Sequence, residues 1–176
     1  MKKLFGVAVL AFGAAALVSA QGTVIQGTVK KVDSAAKTVA VATANGSEQV
    51  VHFTDKTVVH PTVAGAKDAF SGLKEGSEVV IHTTGTGAKT TAVEVDHLGK
   101  EGLKMTEGTV TKIGEGGKTI GVKTADGAEV VFDTTTSAAT EAGKATAKGA
   151  DKAGKVTVYY TEEGGKKVAH FFKKAM

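Results

Sequence analysis

The sequence predicts an all-β protein built from two tandem five-stranded β-barrels. The segment from Gln26 to Phe53 returns as Glu107 to Thr134, and the offset of 81 residues is constant along it. In both copies, short runs of Val, Ile and Thr alternate with polar residues, which is typical of strands with one buried face. Cysteine is absent, so packing alone must stabilise each small module.

The chain begins with a predicted signal peptide, residues 1–20. Lys2 and Lys3 precede an apolar run, and Ser19 and Ala20 supply the small residues of a cleavage site. This run is shorter than the roughly 20 residues that span a bilayer, and no second one follows. We therefore expect a periplasmic or secreted protein without a membrane span. Its modules would occupy residues 21–98 and 106–176, joined by a linker at 99–105.

The first three strands of each module form a predicted meander. Val29 and Val32 lie on opposite parities, so we expect a bulge near Lys30 and Lys31. Asn45-Gly46 and Asp126-Gly127 predict type I′ turns before the third strands. The residues expected to face the two cores are Val39, Val41, Val51 and Phe53 in the first copy and Ile120, Val122, Val130 and Phe132 in the second.

A different composition follows each meander. Ala64–Leu73 and Ala138–Ala153 have enough Ala and Lys for a short helix, although their glycines also allow a long loop. A fourth strand is predicted at Glu78–Thr84, with Val79 and Ile81 inside, and the equivalent strand begins at Lys155. Fifth strands at Thr90–Val95 and Lys166–Phe172 complete the modules, and the register of this last pair is ambiguous by one residue.

Three strands, an insertion and two more strands favour a small OB-like barrel, because closure hides the edges of a small sheet. A pair of half-open barrels and a single sandwich shared by both copies are the alternatives.

Four motifs carry a resemblance to a known family. They are G-T-V-x-x-V-D from Gly27 to Asp33, K-T-V-x-V from Lys37 to Val41, the N-G or D-G turn, and L-K-x-G from Leu73 to Gly76. Each module resembles exported bacterial domains of unknown function with a small OB-like β-barrel. The second copy departs at Ala153, where the first has Leu73. A more distant resemblance is to periplasmic copper-binding OB barrels, but their site uses methionine, histidine and an aromatic residue, commonly tryptophan, which this chain lacks.

Composition argues against nucleic acid as a partner. Every cationic residue is Lys, and without Arg the bidentate fork used for phosphate and guanine is missing. Aromatic residues make up 5% of the chain, which leaves few for stacking on bases or sugars. An unknown envelope protein or glycan is the expected partner.

Histidine is the residue type best suited to chemistry here. His52 and His82 share a strand parity opposite the core, and His60 lies between their strands, so the three could form one copper or zinc site in the first module. The alternative is that all three are ordinary exposed side chains. Asp133 and Tyr159 stand in place of His52 and His82 in the second copy.

No catalytic residues are predicted. Five carboxylates are interpreted as solvated, namely Asp33, Asp55, Glu75, Glu78 and Glu94, and the common hydrolase, phosphate-loop and zinc-protease motifs do not occur. One aromatic residue from each of the pairs Tyr159-Tyr160 and Phe171-Phe172 should leave the core and could dock on the first module. We expect a non-enzymatic binding or envelope-structural protein, with metal binding by the first-module histidines as the alternative.

Overall fold

A computed structural model describes residues 22–61, 68–99, 101–147 and 154–174, and it forms two five-stranded barrels in tandem. The predicted signal peptide lies outside these ranges, as do the start of the Ala64–Leu73 segment and Ala153. The all-β, two-barrel prediction is confirmed, and this structure excludes the alternative of a single sandwich shared by both copies.

The first barrel closes in the order β3-β2-β1-β5-β6 and back to β3. Its last contact is a short parallel pairing of His52 with Thr91. A short extra strand, β4, runs parallel to β6 beside this seam. The strands are β1 (Thr23–Asp33), β2 (Thr38–Thr43), β3 (Glu48–His52), β4 (Val58–His60), β5 (Glu78–Thr84) and β6 (Thr91–His97).

The second barrel repeats this plan, with β11 closing in parallel on β9. A helix takes the place of β4, so the predicted helix-or-loop segment is a helix in this copy, whereas residues 68–76 of the first copy form turns. The first two residues of β7 lie in the predicted linker. The elements are β7 (Lys104–Ile113), β8 (Thr119–Thr124), β9 (Glu129–Thr134), α1 (Thr136–Ala147), β10 (Lys155–Glu163) and β11 (Lys166–Lys174).

The first strand of the first barrel carries the predicted bulge, and the first strand of the second barrel carries an equivalent one. The pairing of β1 with β2 skips one residue between Val29 and Lys31, and β7 with β8 does so between Val110 and Lys112. The bulge lets Val29 enter the core and Val32 also pack against it.

The hairpin turns occur where predicted, but their type differs from the prediction. Gly46 has φ 81° and Gly127 has φ 88°, while Asn45 and Asp126 keep negative φ. The backbone N–H of Thr43 donates to Ser47 O, so the loop holds three residues and is a type I turn followed by a glycine bulge. Asn45 Oδ1 accepts from Ser47 N at 3.1 Å, and this contact favours the type I form over type I′.

Each barrel has its own core, and the predicted core residues occupy it. Val39, Val41, Val51 and Phe53 are buried in the first, where Leu73 joins them. Ile120, Val122 and Phe132 are buried in the second, and Val130 packs against them. Within the described residues, no helix is long and apolar enough to cross a membrane.

Candidate functional site at the junction of the barrels

The outer face of β5 and β6 in the first barrel is buried, although alternation predicts it to be exposed. His82 and Glu94 face each other across the two strands and point away from the first core. Their exposed fractions are 5% and 1%, because the second barrel covers this face. The prediction of a solvated Glu94 is therefore wrong. We call the contact region the junction; its side chains are His60, His82, Glu94 and Asp96 from the first barrel and Glu141, Thr161, Glu163 and His170 from the second.

A β-bulge delivers His170 to the junction. In the pairing of β10 with β11, Tyr159 faces Phe171 and Tyr160 faces Ala169, so His170 is the unpaired residue between them. This bulge accounts for the one-residue ambiguity in the predicted register. Val93 is skipped in the same way in the first barrel, where it is exposed. The same backbone device thus presents a valine to solvent in one copy and an imidazole to the other barrel in the second.

The buried ring of His170 forms hydrogen bonds with side chains of both barrels, Thr161 from its own barrel and Asp96 from the other. Thr161 donates its single hydroxyl hydrogen to Glu163 Oε1 at 2.9 Å, so its oxygen accepts from His170 Nε2 at 2.8 Å. Asp96 Oδ2 lies 2.9 Å from Nδ1 of the same ring, and this contact also requires a hydrogen. Asp96 and His170 are therefore net neutral as a pair, either as carboxylate and imidazolium or as carboxylic acid and imidazole.

Asp96 has an unfavourable environment for a charge. Its Oδ1 is buried without a hydrogen-bond partner in the described structure. Burial raises the pKa of the Asp96 carboxyl above its usual range; the hydrogen bond and charge of His170 oppose this, and the charge of Glu94 adds to it. In either protonation state, the buried Asp96 carboxyl is stabilised by a specific partner from the other barrel.

Glu94 caps the helix of the other barrel. Its Oε1 accepts from the backbone N–H of Thr136 at 3.1 Å and its Oε2 from that of Ser137 at 2.5 Å. These N–H groups begin α1 and have no acceptor within the helix. A carboxylate at this end is also favoured by the helix dipole.

Two more histidines from the first barrel reach carboxylates of the second. His82 Nε2 donates to the backbone O of His170 at 2.9 Å, and its Nδ1 lies 3.8 Å from Glu141 Oε1. His60 Nε2 lies 3.7 Å from Glu163 Oε2, beyond hydrogen-bond reach. Including Asp96 with His170, three histidine–carboxylate pairs cross the junction.

Two of the three predicted metal ligands lie at the junction, where each approaches a different carboxylate of the second barrel. His60 and His82 both lie at the junction, whereas His52 is exposed on β3, beside Gly87 and Thr90. In the described ranges, no group of three or more His, Asp or Glu side chains is arranged to hold a metal ion. His82 Nε2 is already committed to a carbonyl oxygen, so only its Nδ1 remains as a ligand atom.

The order of groups along this hydrogen-bonded chain is that of a hydrolase triad. It runs from the carboxylate of Asp96 through the imidazole of His170 to the hydroxyl of Thr161, and in hydrolases this order activates the hydroxyl as a nucleophile. Here the hydroxyl is buried, and its hydrogen goes to Glu163 rather than to the imidazole. The oxygen is thus neither deprotonated by His170 nor presented to solvent.

Strand register shows how the second copy differs at the same positions. Tyr159 pairs with Met105 as His82 pairs with Val24, so the two are equivalent. By the same register, Phe171 matches Glu94 and Lys173 matches Asp96. Tyr159 and Phe171 stack with ring centroids 4.3 Å apart, and Lys173 Nζ lies 5.0 Å from the Tyr159 ring centre. One barrel therefore carries an acid–histidine face where its copy carries an aromatic–lysine face.

Sequence reasoning missed Asp96, His170 and the buried state of Glu94. The signal that could have found them is this difference between copies, since the two fourth and fifth strands share their core residues but not their outer faces.

No protein-family model and no curated protein matches the sequence. Among solved structures, a crystal structure of Ag(I)-bound CusF is 17% identical, with a TM-score of 0.33, over 43% of this chain and 95% of that one. Apo-CusF residues 6–88 from Escherichia coli is 17% identical, with a TM-score of 0.34, over 48% and 98%. The tetrameric p202 HIN2 structure is 10% identical, with a TM-score of 0.27, over 89% and 94%. Similarities with TM-scores this low carry no argument about function.

Proposed function

We propose that this is an exported, non-enzymatic protein that binds an envelope protein or glycan, or has a structural role in the envelope, with its two barrels held as one body. The observation that carries the proposal is the junction. The acids and histidines best suited to chemistry are buried between the barrels and hold them together, instead of converging on an open cleft.

Desolvation supports a structural role for these groups. Burying Glu94, Asp96 and His170 is costly unless partners compensate, and each has a partner in the other barrel. A catalytic group must also reach substrate, whereas Asp96 and His170 have no exposed surface.

The alternative is metal binding by first-module histidines, with copper or zinc as the candidates. One observation favours it: His60 Nε2 is buried without a hydrogen-bond partner in the described structure, and it lies 3.7 Å from a carboxylate oxygen of Glu163. A metal there would use His60 and Glu163, whereas His82 Nδ1 faces Glu141.

Calorimetry separates the two functions. Cu²⁺ and Zn²⁺ are titrated into the chain lacking residues 1–20, into His60→Ala and into the control His52→Ala, which lies away from the junction. The main proposal expects no saturable binding that depends on His60. Stoichiometric binding that is lost in His60→Ala and kept in His52→Ala would establish the alternative. A thermal-shift panel of envelope glycans on the same chain tests the binding role, since a ligand of the folded state raises the melting temperature.

A further inference from the structure

The seam of each barrel leaves part of a strand edge open. In the first barrel, the described pairing of β3 with β6 is limited to His52 and Thr91. In the second, β9 meets β11 only at Asp133 and Thr134 among the described pairs. The strand residues before these contacts pair with the preceding strand on one side alone.

Backbone hydrogen bonds show which groups face the open side. His52 N donates across the seam to Thr90 O, whereas Phe53 N donates to Lys37 O on the β2 side. Because N–H and C=O groups alternate between the two edges of a strand, those of Val50 point to the seam like those of His52. In the second barrel, Thr134 N donates to Lys118 O on the β8 side, so Val131 faces the seam.

The same open edge with an exposed valine therefore occurs twice. Val50 and Val131 are equivalent in the repeat, and their exposed fractions of 50% and 61% are high for valine in a strand. A glutamate, Glu48 or Glu129, stands two residues before each valine and is exposed.

A groove lies along each open edge. Its other wall is the turn between the last two strands, at Gly87 in the first barrel and Gly165 in the second. The groove volumes are about 570 Å³ and 540 Å³. An added strand would lie about 4.8 Å from β3 or β9.

We propose that each barrel binds an extended segment of a partner protein as an added strand along this edge. The partner's backbone would pair with the N–H and C=O groups of Val50 or Val131, as in other strand-addition complexes. A β-branched or apolar residue would cover the exposed valine. In the first barrel a basic residue would face Glu48. In the second, Glu129 accepts from Thr111 Oγ1 at 2.8 Å and Lys166 and Lys167 line the same groove, so this charge preference is specific to the first edge. The inference rests on the proposed binding function and names the class of partner, a protein rather than a glycan.

The test uses the chain lacking residues 1–20 and a blocked hexapeptide of alternating threonine and valine with one lysine. Amide chemical shifts are followed by NMR during titration. Saturable shifts are expected at residues 48–52 and 129–133, with hydrogen exchange at Val50 and Val131 slowed by roughly tenfold or more. The absence of shifts at both edges up to about millimolar peptide would overturn the proposal.

Two sets of variants make the result specific. Val50→Pro with Val131→Pro removes the seam-facing N–H groups but no bond to β2 or β8, and it should abolish binding. The matched control, Val50→Thr with Val131→Thr, keeps those groups and should keep binding. Unchanged binding by the proline variant would contradict the proposal. If the proline variant does not fold, Glu48→Lys, which leaves the backbone intact, should weaken binding of this peptide at the first edge and strengthen that of a peptide with glutamate in place of lysine. If wild type and the lysine variant bind both peptides with identical affinities, strand addition at this edge is contradicted.

Two further measurements distinguish other outcomes. Concentration-dependent self-association without peptide, lost in the proline variant, would assign the edge to a second copy of this chain and overturn the proposal. A glycan that raises the melting temperature of wild type and proline variant equally, with no peptide binding, would leave the proposed function standing and reject strand addition.

Discussion

Asp96 is buried with one carboxylate oxygen bound to His170 and the other without a hydrogen-bond partner in the described structure. Removing one member of such a pair leaves the other as an uncompensated buried group, whereas replacing both can be nearly neutral. The energetics of the pair can therefore be separated from simple loss of packing by a double-mutant cycle.

We expect His170→Leu to lower the free energy of unfolding by about 3 kcal/mol. The double variant Asp96→Leu with His170→Leu should recover most of that loss, because no unpaired carboxyl remains. Urea denaturation of wild type, both single variants and the double variant measures the cycle. Additive losses from the two single variants would show that the two side chains are not coupled.

His97, at the end of β6, makes a pH-dependent contribution to the free energy of unfolding. Burial lowers the pKa of its imidazole below 6.5, and the charge of Asp96 opposes this shift. Because the pKa is lower in the folded state, the stabilising contribution is present above pH 6.5 and is lost as pH falls through the folded value. The raised pKa of Asp96 makes stability depend on pH in the opposite direction. Its stabilising contribution is present below the pKa of the unfolded state and is lost as pH rises.

Replacing His97 by Gln should flatten the loss of stability on acidification. We expect the free energy of unfolding to fall less in His97→Gln than in wild type between about pH 7.5 and 5.5, because only wild type gains a proton at this site on unfolding. Urea midpoints at several pH values measure the difference. Parallel pH profiles would mean that burial of His97 does not perturb its titration.

At the scale of elements, helix α1 depends on a residue outside its own barrel. Glu94 supplies acceptors to two of its first N–H groups. The stability of the helix therefore depends on contact between the barrels, since the cap is lost whenever they separate.

We expect Glu94→Ala to lower the free energy of unfolding by about 2 kcal/mol, because both a cap and a buried hydrogen-bond acceptor are removed. Glu94→Gln should lie between wild type and Ala, since one acceptor oxygen remains. The control is Glu48→Ala on exposed β3, for which a change within about 0.5 kcal/mol is expected. Thermal and urea denaturation compare the three, and equal effects of Glu94→Ala and Glu48→Ala would contradict a capping role.

The strands of this fold and the bulge near Lys30 could be predicted from local sequence, whereas turn type could not, and the signal for outer-face burial in β5 was present but the prediction followed alternation instead. Alternation at Val39 and Val41 reports one buried face and needs no tertiary information. The Asn45-Gly46 dipeptide allows two turn types, and side-chain hydrogen bonds select between them. In β5, the unbroken run Val79-Val80-Ile81 is typical of a strand buried on both sides, and that signal outweighs the alternation on which the exposed assignment of His82 rested.

At the scale of the whole molecule, two of the junction residues, His60 and His82, could be named from the sequence, but their partners could not. Asp96 and His170 are 74 residues apart in the chain, and no local spacing relates them. In each aromatic pair one member packs on the second core as predicted, namely Tyr160 and Phe172. The outward members, Tyr159 and Phe171, stack on each other, so Tyr159 is half-buried and Phe171 is buried instead of exposed. Which outer face meets the other barrel depends on the packing of whole modules.

The repeat offers a way to undock the barrels while leaving each one folded. Glu94→Phe with Asp96→Lys installs the residues that the second copy carries at the equivalent positions, so the outer face of β5 and β6 should tolerate them. In wild type the buried junction should couple the barrels, and calorimetry should show one transition with equal calorimetric and van't Hoff enthalpies. The double variant should unfold in two transitions, because the cap of α1 and the partner of His170 are both lost. His52→Asp is the matched control, since it installs a second-copy residue away from the junction and should keep the single transition. Two transitions in wild type, or one in the double variant, would show that the buried acids and histidines do not hold the barrels together.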